Sequence, residues 1–248
     1  MKKFVSIIIP FYDNLLLLKR AIKSIRNQTY KYYEIIIIND NPKKFHSNQI
    51  ERLKKIFNFN KIKIINNKKN FGAGFSRNFG IKIAKGKYIA FLDSDDTWKK
   101  NKLSTQIKIM EKYNYLASHT GYSIIKMNQN YNSKRQAKTL NYFDLLKSCD
   151  IGLSTVVLKK SVLKNRKLFP KLKTKEDYVL WLRLSKLGVI FHGINKNLVN
   201  WNDTPKSLSK SVLQKIYDSM RVYYYYEKFN LFKSFMKTVV LSINYLKK

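Results

Sequence analysis

The sequence of 248 residues is poor in cysteine, glycine, proline and acidic side chains. Its one cysteine, Cys149, excludes an intramolecular disulfide, which is typical of proteins kept in the reducing cytosol. No signal peptide is predicted, because the apolar run between Lys3 and Pro10 is too short. No apolar run approaches the roughly 18 residues of a membrane span. We therefore expect a cytoplasmic protein without a membrane-spanning helix.

Acidic residues are few, since 15 Asp and Glu stand against 50 Lys and Arg and the formal net charge is +35. Such a charge attracts polyanions, which include nucleic acid, anionic lipid and phosphorylated substrates. The basic residues are spread along the chain, with a tilt to the second half, and this disfavours a simple nucleic-acid-binding arm. A hydrophobic fraction of 44% and an aromatic fraction of 14% favour a folded globular protein over disorder.

Apolar runs alternate with amphipathic stretches throughout the first hundred residues. The pattern predicts strands at 4–9, 34–38, 61–65 and 88–92, and helices at about 15–27, 47–57 and 75–84. Strands that alternate with helices are typical of a parallel, doubly wound sheet with right-handed crossovers. We therefore predict an α/β fold, with a mostly parallel central sheet and helices on both faces.

The second half alternates less clearly. It predicts a helix at about 98–113, strands at 117–127 and 151–158, a polar loop at 128–139 and a helix at 177–187. Two C-terminal helices follow from about Ser211, with apolar residues at helical spacing and lysines around them. A basic amphipathic helix can lie on an anionic bilayer, but the same apolar stripe can also pack on the rest of the chain. A third alternative is packing on a second copy, which would make a homo-oligomer.

The predicted strand at 88–92 stops abruptly at an acidic segment. Asp93, Asp95 and Asp96 follow it, with Ser94 between them. Ligands bind at the carboxyl ends of strands in open α/β sheets, and carboxylates crowded there raise one another's pKa values. Mg²⁺ or Mn²⁺ resolves that conflict, since it binds one or two carboxylates together with substrate phosphates. The alternative is a solvated acidic turn that caps the next helix.

Acidic and amide side chains also follow the first two predicted strands. Asp13 and Asn14 come after the first strand, and Asp40 comes after the second. Because the carboxyl ends of parallel strands meet at one edge of a sheet, we expect these side chains to lie near Asp93 and Asp95. Their convergence favours a metal–diphosphate site over a solvated turn. The glycine-rich fingerprint of a dehydrogenase is absent after the first strand, and so is a Walker loop.

Four segments resemble, in order and spacing, the motifs of the family-two glycosyltransferases, which are inverting, nucleotide-sugar-dependent enzymes with the GT-A fold. The segments are VSIIIPFYDN, EIIIINDN, NFGAGFSRNFGIKIAKGKYIAFLDSDD and, further along, KEDYVLWLRLSKLG. The resemblance implies a GT-A catalytic domain at 1–210 and a helical tail at 211–248. Within the catalytic domain, it implies a nucleotide-sugar-binding half at 1–98 and an acceptor-binding half at 99–210.

The resemblance also implies roles for individual residues. The nucleotide or its diphosphate would be bound by Pro10, Tyr12, Asp13, Asp40, Gly72, Arg77, Asp93 and Ser94. Asp93 and Asp95 would be the D-x-D pair that holds Mn²⁺ or Mg²⁺, with Asp95 the direct ligand. Asp177 would be the general base, with Glu176 beside it. From the residues alone, the same pair reads as an acidic first turn that complements the helix dipole.

The implied reaction is the transfer of one sugar from a nucleotide-diphosphate donor, with UDP favoured, to a saccharide or lipid-linked saccharide. The implied setting is a bacterial surface glycan, which means capsule, lipopolysaccharide or O-antigen. The Q-x-x-R-W motif of processive synthases is absent, and this favours a single transfer per encounter. The high net charge, together with a lipid-linked acceptor, also suggests that the protein is attached peripherally to the inner face of the plasma membrane.

Two other readings stay open. A sugar-1-phosphate nucleotidyltransferase shares the layered α/β plan, but it needs a glycine-rich loop where this sequence has PFYDN. A protein that binds polyanions or a membrane surface without catalysis would rest on charge alone. It would predict strong binding to nucleic acid and no use for Asp93, Asp95 or Asp177.

Overall fold

A computed structural model of the chain describes residues 4–43, 52, 55, 61–126, 133–164, 168–203 and 211–246. The strands are β1 (Val5–Phe11), β2 (Tyr33–Asn39), β3 (Ile62–Asn66), β4 (Tyr88–Phe91), β5 (Thr97–Trp98), β6 (Ala117–Lys126), β7 (Ser133–Arg135), β8 (Val157–Lys159) and β9 (Phe191–Asp203). The α-helices are α1 (Leu15–Arg26), α2 (Ala73–Ile83), α3 (Lys102–Lys112), α4 (Tyr142–Leu145), α5 (Glu176–Lys186), α6 (Val212–Arg221) and α7 (Leu231–Leu246). The helix predicted at 47–57 lies outside the described residues, except at two isolated positions.

The strands form one sheet in the order β3-β2-β1-β4-β8-β6-β9-β5, with β7 paired to β6. The first four strands are parallel, as the alternation of the first hundred residues predicts. Strand β8 runs antiparallel to both β4 and β6, and it joins the parallel half to the second half. Within that half, β6 and β9 are parallel over their full shared length. The predicted α/β class is therefore confirmed.

The central strands are buried on both faces, which explains their continuous apolar sequences. On one face, the alternate residues of β1 pack with α1 and α3. On the other face, the remaining residues pack with α2 and α5, where Trp181 is fully buried. The expected layer of helices on each face is therefore present.

Several boundaries differ from the prediction. β1 continues through Pro10 to Phe11 beside β2, while β4 pairs with β1 only as far as Ile8. Because β4 does not pair with β1 beyond Ile8, the missing amide hydrogen of Pro10 removes no hydrogen bond between these two strands. Trp98 belongs to β5, because it pairs with Val199 of β9, and α3 begins four residues later.

Three further segments of the second half also differ. The polar loop predicted at 128–139 contains strand β7, which pairs with β6, although 127–132 lie outside the described residues. The strand predicted at 151–158 is divided into a 3₁₀ turn at Leu153–Thr155 and strand β8. The sequence pattern gave no prediction for most of β9, whose residues do not form a continuous apolar run.

The two tail helices pack on the second half of the chain. Tyr223, in the π-helical turn between α6 and α7, is fully buried, and its hydroxyl lies 3.0 Å from the Tyr178 hydroxyl of α5. The Glu227 carboxylate accepts a hydrogen bond from Lys186 Nζ at 3.3 Å. Along the described parts of the chain, we find no helix that combines the length and apolarity needed to cross a bilayer. The inner face of the tail is thus part of the core that surrounds α5.

Candidate active site

Arg77 links the turn at the carboxyl end of β4 to the first turn of α5. Its Nη2 donates to Asp93 Oδ1 at 2.8 Å, and its Nη1 donates to Glu176 Oε1 at 2.6 Å. Arg77 lies on α2, Asp93 follows β4 and Glu176 begins α5. A single guanidinium therefore connects the end of the parallel half to the first turn of α5, which lies 99 residues further along the chain.

The Arg77 side chain is almost fully buried, and it packs 5.5 Å above the ring of Phe169. Burial by itself lowers the pKa of a guanidinium, but the charges of Asp93 and Glu176 outweigh that effect and raise the pKa of Arg77. Its Nε is buried without a hydrogen-bond partner among the described residues. Arg77 is therefore a permanent buried cation that holds two carboxylates in place.

The acidic segment after β4 is a tight turn braced from two sides. The Asp96 amide donates to the Asp93 carbonyl at 3.0 Å, which closes the turn. The buried Asp96 carboxylate accepts from Ser154 Oγ at 2.6 Å and from the Asn202 amide at 3.1 Å. Asn202 Nδ2 also donates to the Asp95 carbonyl at 2.6 Å. Asp96 is thus an internal brace, while Asp95 lies on the turn.

Burial raises the pKa of Asp96, and the neighbouring charges of Asp95 and Asp93 raise it further. The Ser154 hydroxyl and the Asn202 amide act in the opposite direction, because they stabilise the ionised form. No local pattern indicates Ser154 or Asn202 as part of the site, because both are distant from Asp96 in the chain and only the fold brings them to it.

Glu176 and Asp177 are the first two residues of α5. Asp177 Oδ1 accepts from the amide of Tyr178 at 2.7 Å. Burial and the adjacent Glu176 charge raise the pKa of Asp177 to about 7, although Arg77 and the Tyr178 amide oppose them; Asp93 adds to the rise. A carboxyl group whose pKa lies near neutrality is suited to accept a proton from a hydroxyl group.

The turn that precedes α5 is held by the tail. Thr174 donates to Asp218 Oδ2 of α6 from both its amide and its hydroxyl, each at 2.9 Å. Lys175, which follows, has a left-handed backbone with φ of 62°. Asp218 is fully buried and thereby fixes the backbone that leads into Glu176. No motif in the sequence indicates this link, because the two segments are distant in the chain.

Asp40, at the end of β2, is buried and braces the loop before α2. Its Oδ1 accepts from Asn67 Nδ2 at 2.7 Å and from the Phe71 amide at 2.9 Å. Its Oδ2 accepts from the Gly72 amide at 2.7 Å. Gly72 has φ of +91°, a conformation that glycine adopts without strain, and α2 begins at the next residue. The described contacts of Asp40 are with its own loop, and a contact with a base stays a prediction.

Tyr12 and Asp13 lie in the loop between β1 and α1, at the same edge as Asp40. The Asp40 amide donates to the Phe11 carbonyl at 2.7 Å, and this bond places the two loops side by side. Tyr12 is 52% exposed, so its ring is accessible to a ligand. Asp13 Oδ1 accepts from the Asn14 amide at 2.9 Å, while Asn14 caps α1 through its side chain.

The acidic side chains near Arg77 form one electrostatic cluster, because Asp93 and Asp95 raise the pKa of Asp96, and Glu176 and Asp93 raise the pKa of Asp177. We call this set the acidic cluster, and its members are Asp93, Asp95, Asp96, Glu176 and Asp177. With one guanidinium among five acidic groups, the cluster carries net negative charge in a chain whose formal charge is +35. A diphosphate entering this region would be repelled unless a cation lay between them.

The side chains at the turn fit a hard divalent cation. In the described part of the chain, no group of three or more His, Cys, Asp and Glu side chains could hold a metal ion by itself. Mg²⁺ and Mn²⁺ need fewer protein ligands when substrate phosphates complete their shells. Asp96 is buried and engaged by its two braces, whereas Asp93 and Asp95 both lie on the turn that follows β4. Their carboxylate oxygens are the hard ligands that such a cation prefers, so the donor set fits it.

The chain is similar to known proteins over most of its length. The model of glycosyl transferase family 2 matches residues 6–180. The chain is 29% identical, over its whole length and 98% of the relative, to a putative teichuronic acid biosynthesis glycosyltransferase, TuaG, of Bacillus subtilis. It is 39% identical over 183 residues, 73% of this chain and 70% of the relative, to WfgD of Escherichia coli, a UDP-Glc:alpha-D-GlcNAc-diphosphoundecaprenol beta-1,3-glucosyltransferase.

Among solved structures, the chain resembles S. aureus TarS 1–349 in complex with UDP-GlcNAc. The TM-score is 0.69 at 15% sequence identity, and the match covers 93% of this chain and 69% of that one. At this identity, the likeness bears on the fold alone, and it extends over both halves of the sheet.

Proposed function

The chain belongs to glycosyl transferase family 2 and is a glycosyltransferase with the GT-A fold, and from this premise we propose its reaction. It transfers one sugar from a UDP-sugar to a lipid-linked saccharide during synthesis of a bacterial surface glycan. The names of two relatives support this proposal. One refers to teichuronic acid, and the other refers to UDP-glucose and an undecaprenol-linked acceptor. Residues 1–98 would bind the donor, and residues 99–210 would bind the acceptor.

The observation that carries the mechanism is the position and pKa of Asp177. Its carboxyl group titrates near neutrality, at the start of a helix that belongs to the acceptor half. In the proposed reaction, Asp177 takes the proton from the acceptor hydroxyl as its oxygen attacks the anomeric carbon. The bond from that carbon to the diphosphate oxygen breaks in the same step. A single displacement inverts the configuration, so an α-linked donor gives a β-linked product.

The remaining residues position the reacting groups and balance their charges. Arg77 holds Glu176 and Asp93 on either side of the reacting region, and it keeps the first turn of α5 against the end of β4. Asp95, with Asp93, would hold Mn²⁺ or Mg²⁺. When bound, such an ion supplies positive charge that stabilises the departing diphosphate. Tyr12, Asp13 and the loop at Gly72 would contact the nucleotide.

The donor site can be tested by thermal unfolding with a panel of nucleoside diphosphates, with and without Mn²⁺. A ligand that binds only the folded state raises the melting temperature by mass action. We expect a metal-dependent rise with UDP that is lost in Asp95→Asn. Glu111→Gln is the control, because Glu111 binds Lys87 at the opposite, amino end of β4. Its melting temperature should rise with UDP as the wild type's does.

A folded wild-type protein that shows no shift with any nucleoside diphosphate would contradict the proposed donor site. A shift with nucleoside triphosphates and sugar-1-phosphates, but not with diphosphates, would favour a nucleotidyltransferase. Product analysis with a UDP-sugar and a diphospholipid-linked saccharide then tests the transfer and the anomeric outcome directly.

A further inference from the structure

Helix α7 exposes a broad apolar side, while two hydroxyl side chains lie on its inward side together with Leu241. Its inward side chains include Ser234 and Thr238, whose hydroxyls donate to backbone carbonyls one turn earlier at 2.8 Å and 2.9 Å. Large apolar residues point outward; those exposed are Leu231, Phe232, Phe235, Met236, Val240, Ile243 and Leu246. A helix on a globular protein normally buries such a stripe. The outward stripe is therefore available to something outside the chain.

The exposed stripe is broad and continuous. At 100° per residue, its members span an arc of roughly 180° around the helix axis. Phe232 is 75% exposed and Phe235 is 56% exposed, so two aromatic rings stand at its centre. Lys233 and Lys237 border the arc on one side. We call this stripe, with its two bordering lysines, the tail surface.

The neighbouring helix adds to the same region. Lys215 of α6 lies 4.9 Å above the ring of Tyr245, so α6 runs beside the end of α7. α6 exposes further apolar side chains, among them Leu213 at 82%. Exposed apolar patches of this extent on soluble proteins mark interaction sites.

Within residues 211–246, the exposed charges are positive. The two acidic residues between 211 and 246, Asp218 and Glu227, are both buried and engaged by other side chains. The exposed charged groups in this segment therefore come from lysines, including Lys228 and Lys233. Anionic headgroups complement such a border. A second copy of the chain would bring the same positive border, and a second charge of +35, against it.

We propose that the tail surface docks on an anionic lipid bilayer, with the apolar arc of α7 at the boundary between headgroups and acyl chains. The two lysines beside the arc would lie among the headgroups. Because α6 also fixes the turn before Glu176 through Asp218, docking would set the active site close to the membrane plane. This inference concerns where the chain binds, and it holds whichever sugar is transferred.

The test is co-sedimentation of the full chain with vesicles of phosphatidylcholine alone, or with about one third phosphatidylglycerol. We expect binding to the anionic vesicles, with weaker binding as salt is raised, and little binding to neutral ones. Phe232→Ser/Phe235→Ser should weaken the partition by at least about tenfold. Tyr113→Ser is the control, since Tyr113 is 53% exposed on the end of α3.

Two double variants that reverse charge complete the experiment. Lys233→Glu/Lys237→Glu should also reduce binding, whereas Arg20→Glu/Lys23→Glu, which changes the net charge equally on α1, should reduce it much less. An equal loss of vesicle binding in both double variants would contradict docking through α7, because the change in net charge would then explain the loss. A wild type that fails to bind anionic vesicles at low salt would overturn the proposal. So would a dimer in sedimentation velocity that Phe232→Ser/Phe235→Ser converts to monomer.

None of these readouts needs a donor, an acceptor or turnover. A chain that binds vesicles but transfers no sugar would keep this inference and contradict the proposed function. A chain that transfers sugar but does not bind vesicles would contradict this inference and keep the proposed function. Circular dichroism and melting temperature confirm that each variant is folded, which we expect because the altered side chains are exposed.

Discussion

At the scale of single residues, two aspartates of the acidic cluster share a raised pKa but differ in surroundings. Asp96 is enclosed, and a hydroxyl and a backbone amide occupy its two oxygens. Asp177 accepts from the amide of its own neighbour and faces the Arg77–Glu176 pair. The first arrangement braces a turn. The second leaves a carboxyl group that can exchange a proton at neutral pH.

Replacing Asp177 with Asn should remove catalysis while keeping the fold. Asn keeps the shape and can still accept from the Tyr178 amide, but it cannot take a proton. We expect kcat to fall by about 10²- to 10⁴-fold, with little change in donor binding. In the wild type, kcat/KM should rise with pH, reach half its maximum near pH 7 and level off above that pH. Retained turnover in Asp177→Asn, with a normal donor affinity, would exclude Asp177 as the base.

The same substitution should raise stability at alkaline pH. In the folded protein the pKa of Asp177 lies above its ordinary value near 4. Its protonated carboxyl group therefore contributes fully to the stability of the fold below pH 4, and this contribution is lost as the pH rises through 7. At pH 8, the wild type must keep an extra negative charge in the cluster, and Asp177→Asn does not. We expect the variant to melt higher than the wild type at pH 8, and the difference to shrink at pH 5.

Replacing Arg77 with Met should be strongly destabilising. The change leaves Glu176 and Asp93 facing each other without their shared cation. We expect a loss of about 3 kcal/mol in the free energy of unfolding, measured by urea denaturation. Lys87→Met, which removes an ion pair from the half-exposed Lys87, should cost under about 1 kcal/mol. Equal losses in the two variants would mean that the Arg77 bridge has no special role.

At the scale of elements, the predictability of each strand follows its burial. The central strands are buried on both faces, so their sequences are continuous apolar runs that a periodicity search finds. β9 alternates irregularly between buried and half-exposed positions, and its neighbour β6 has a register shift at Gly121. β5 is two residues long and exists only because β9 pairs with it. Local sequence therefore predicts the parallel half and misses the part that long-range pairing creates.

The site follows the same division. The acidic turn and the first residues of α5 could be predicted, because each is a local motif within one segment. The Arg77 bridge, Ser154, Asn202 and Asp218 could not, since each acts on a segment far away in the sequence. The division into a catalytic domain and a tail at residue 210 stays a prediction. α6 and the turn after it pack directly on α5 and its preceding loop.

The link between α6 and α5 gives a prediction at this scale. Asp218→Asn keeps the size of the side chain but weakens the two bonds from Thr174. We expect kcat to fall several-fold with KM for the donor unchanged, because the first turn of α5 loses its fixed position. Thr174→Ser is the control, because it keeps both donors to Asp218 and should retain nearly normal turnover. A variant that loses stability but keeps full kcat would show that Asp218 is structural only.

At the scale of the whole molecule, the acidic cluster lies in a strongly basic chain. The charge of +35 predicts binding to nucleic acid at low salt, driven by counterion release. We expect affinity for a duplex oligonucleotide to fall by about 10³-fold or more between 50 mM and 200 mM salt. Asp95→Asn should leave that affinity unchanged while it abolishes metal-dependent UDP binding. Salt-sensitive binding to nucleic acid by a wild-type chain that shows no metal-dependent binding of UDP would instead favour the non-catalytic alternative.

The clamp of Asn202 on the acidic turn has a consequence for how the chain acquires its activity during synthesis. The turn at 93–96 leaves the ribosome about a hundred residues before Asn202 and β9, which brace it. At about 5–20 residues per second, the nascent donor half waits several seconds with its carboxylates unbraced. Glu176 reaches Arg77 during the same interval. The braced turn therefore forms late, and a chain truncated before β9 would retain the motifs of the turn without its brace.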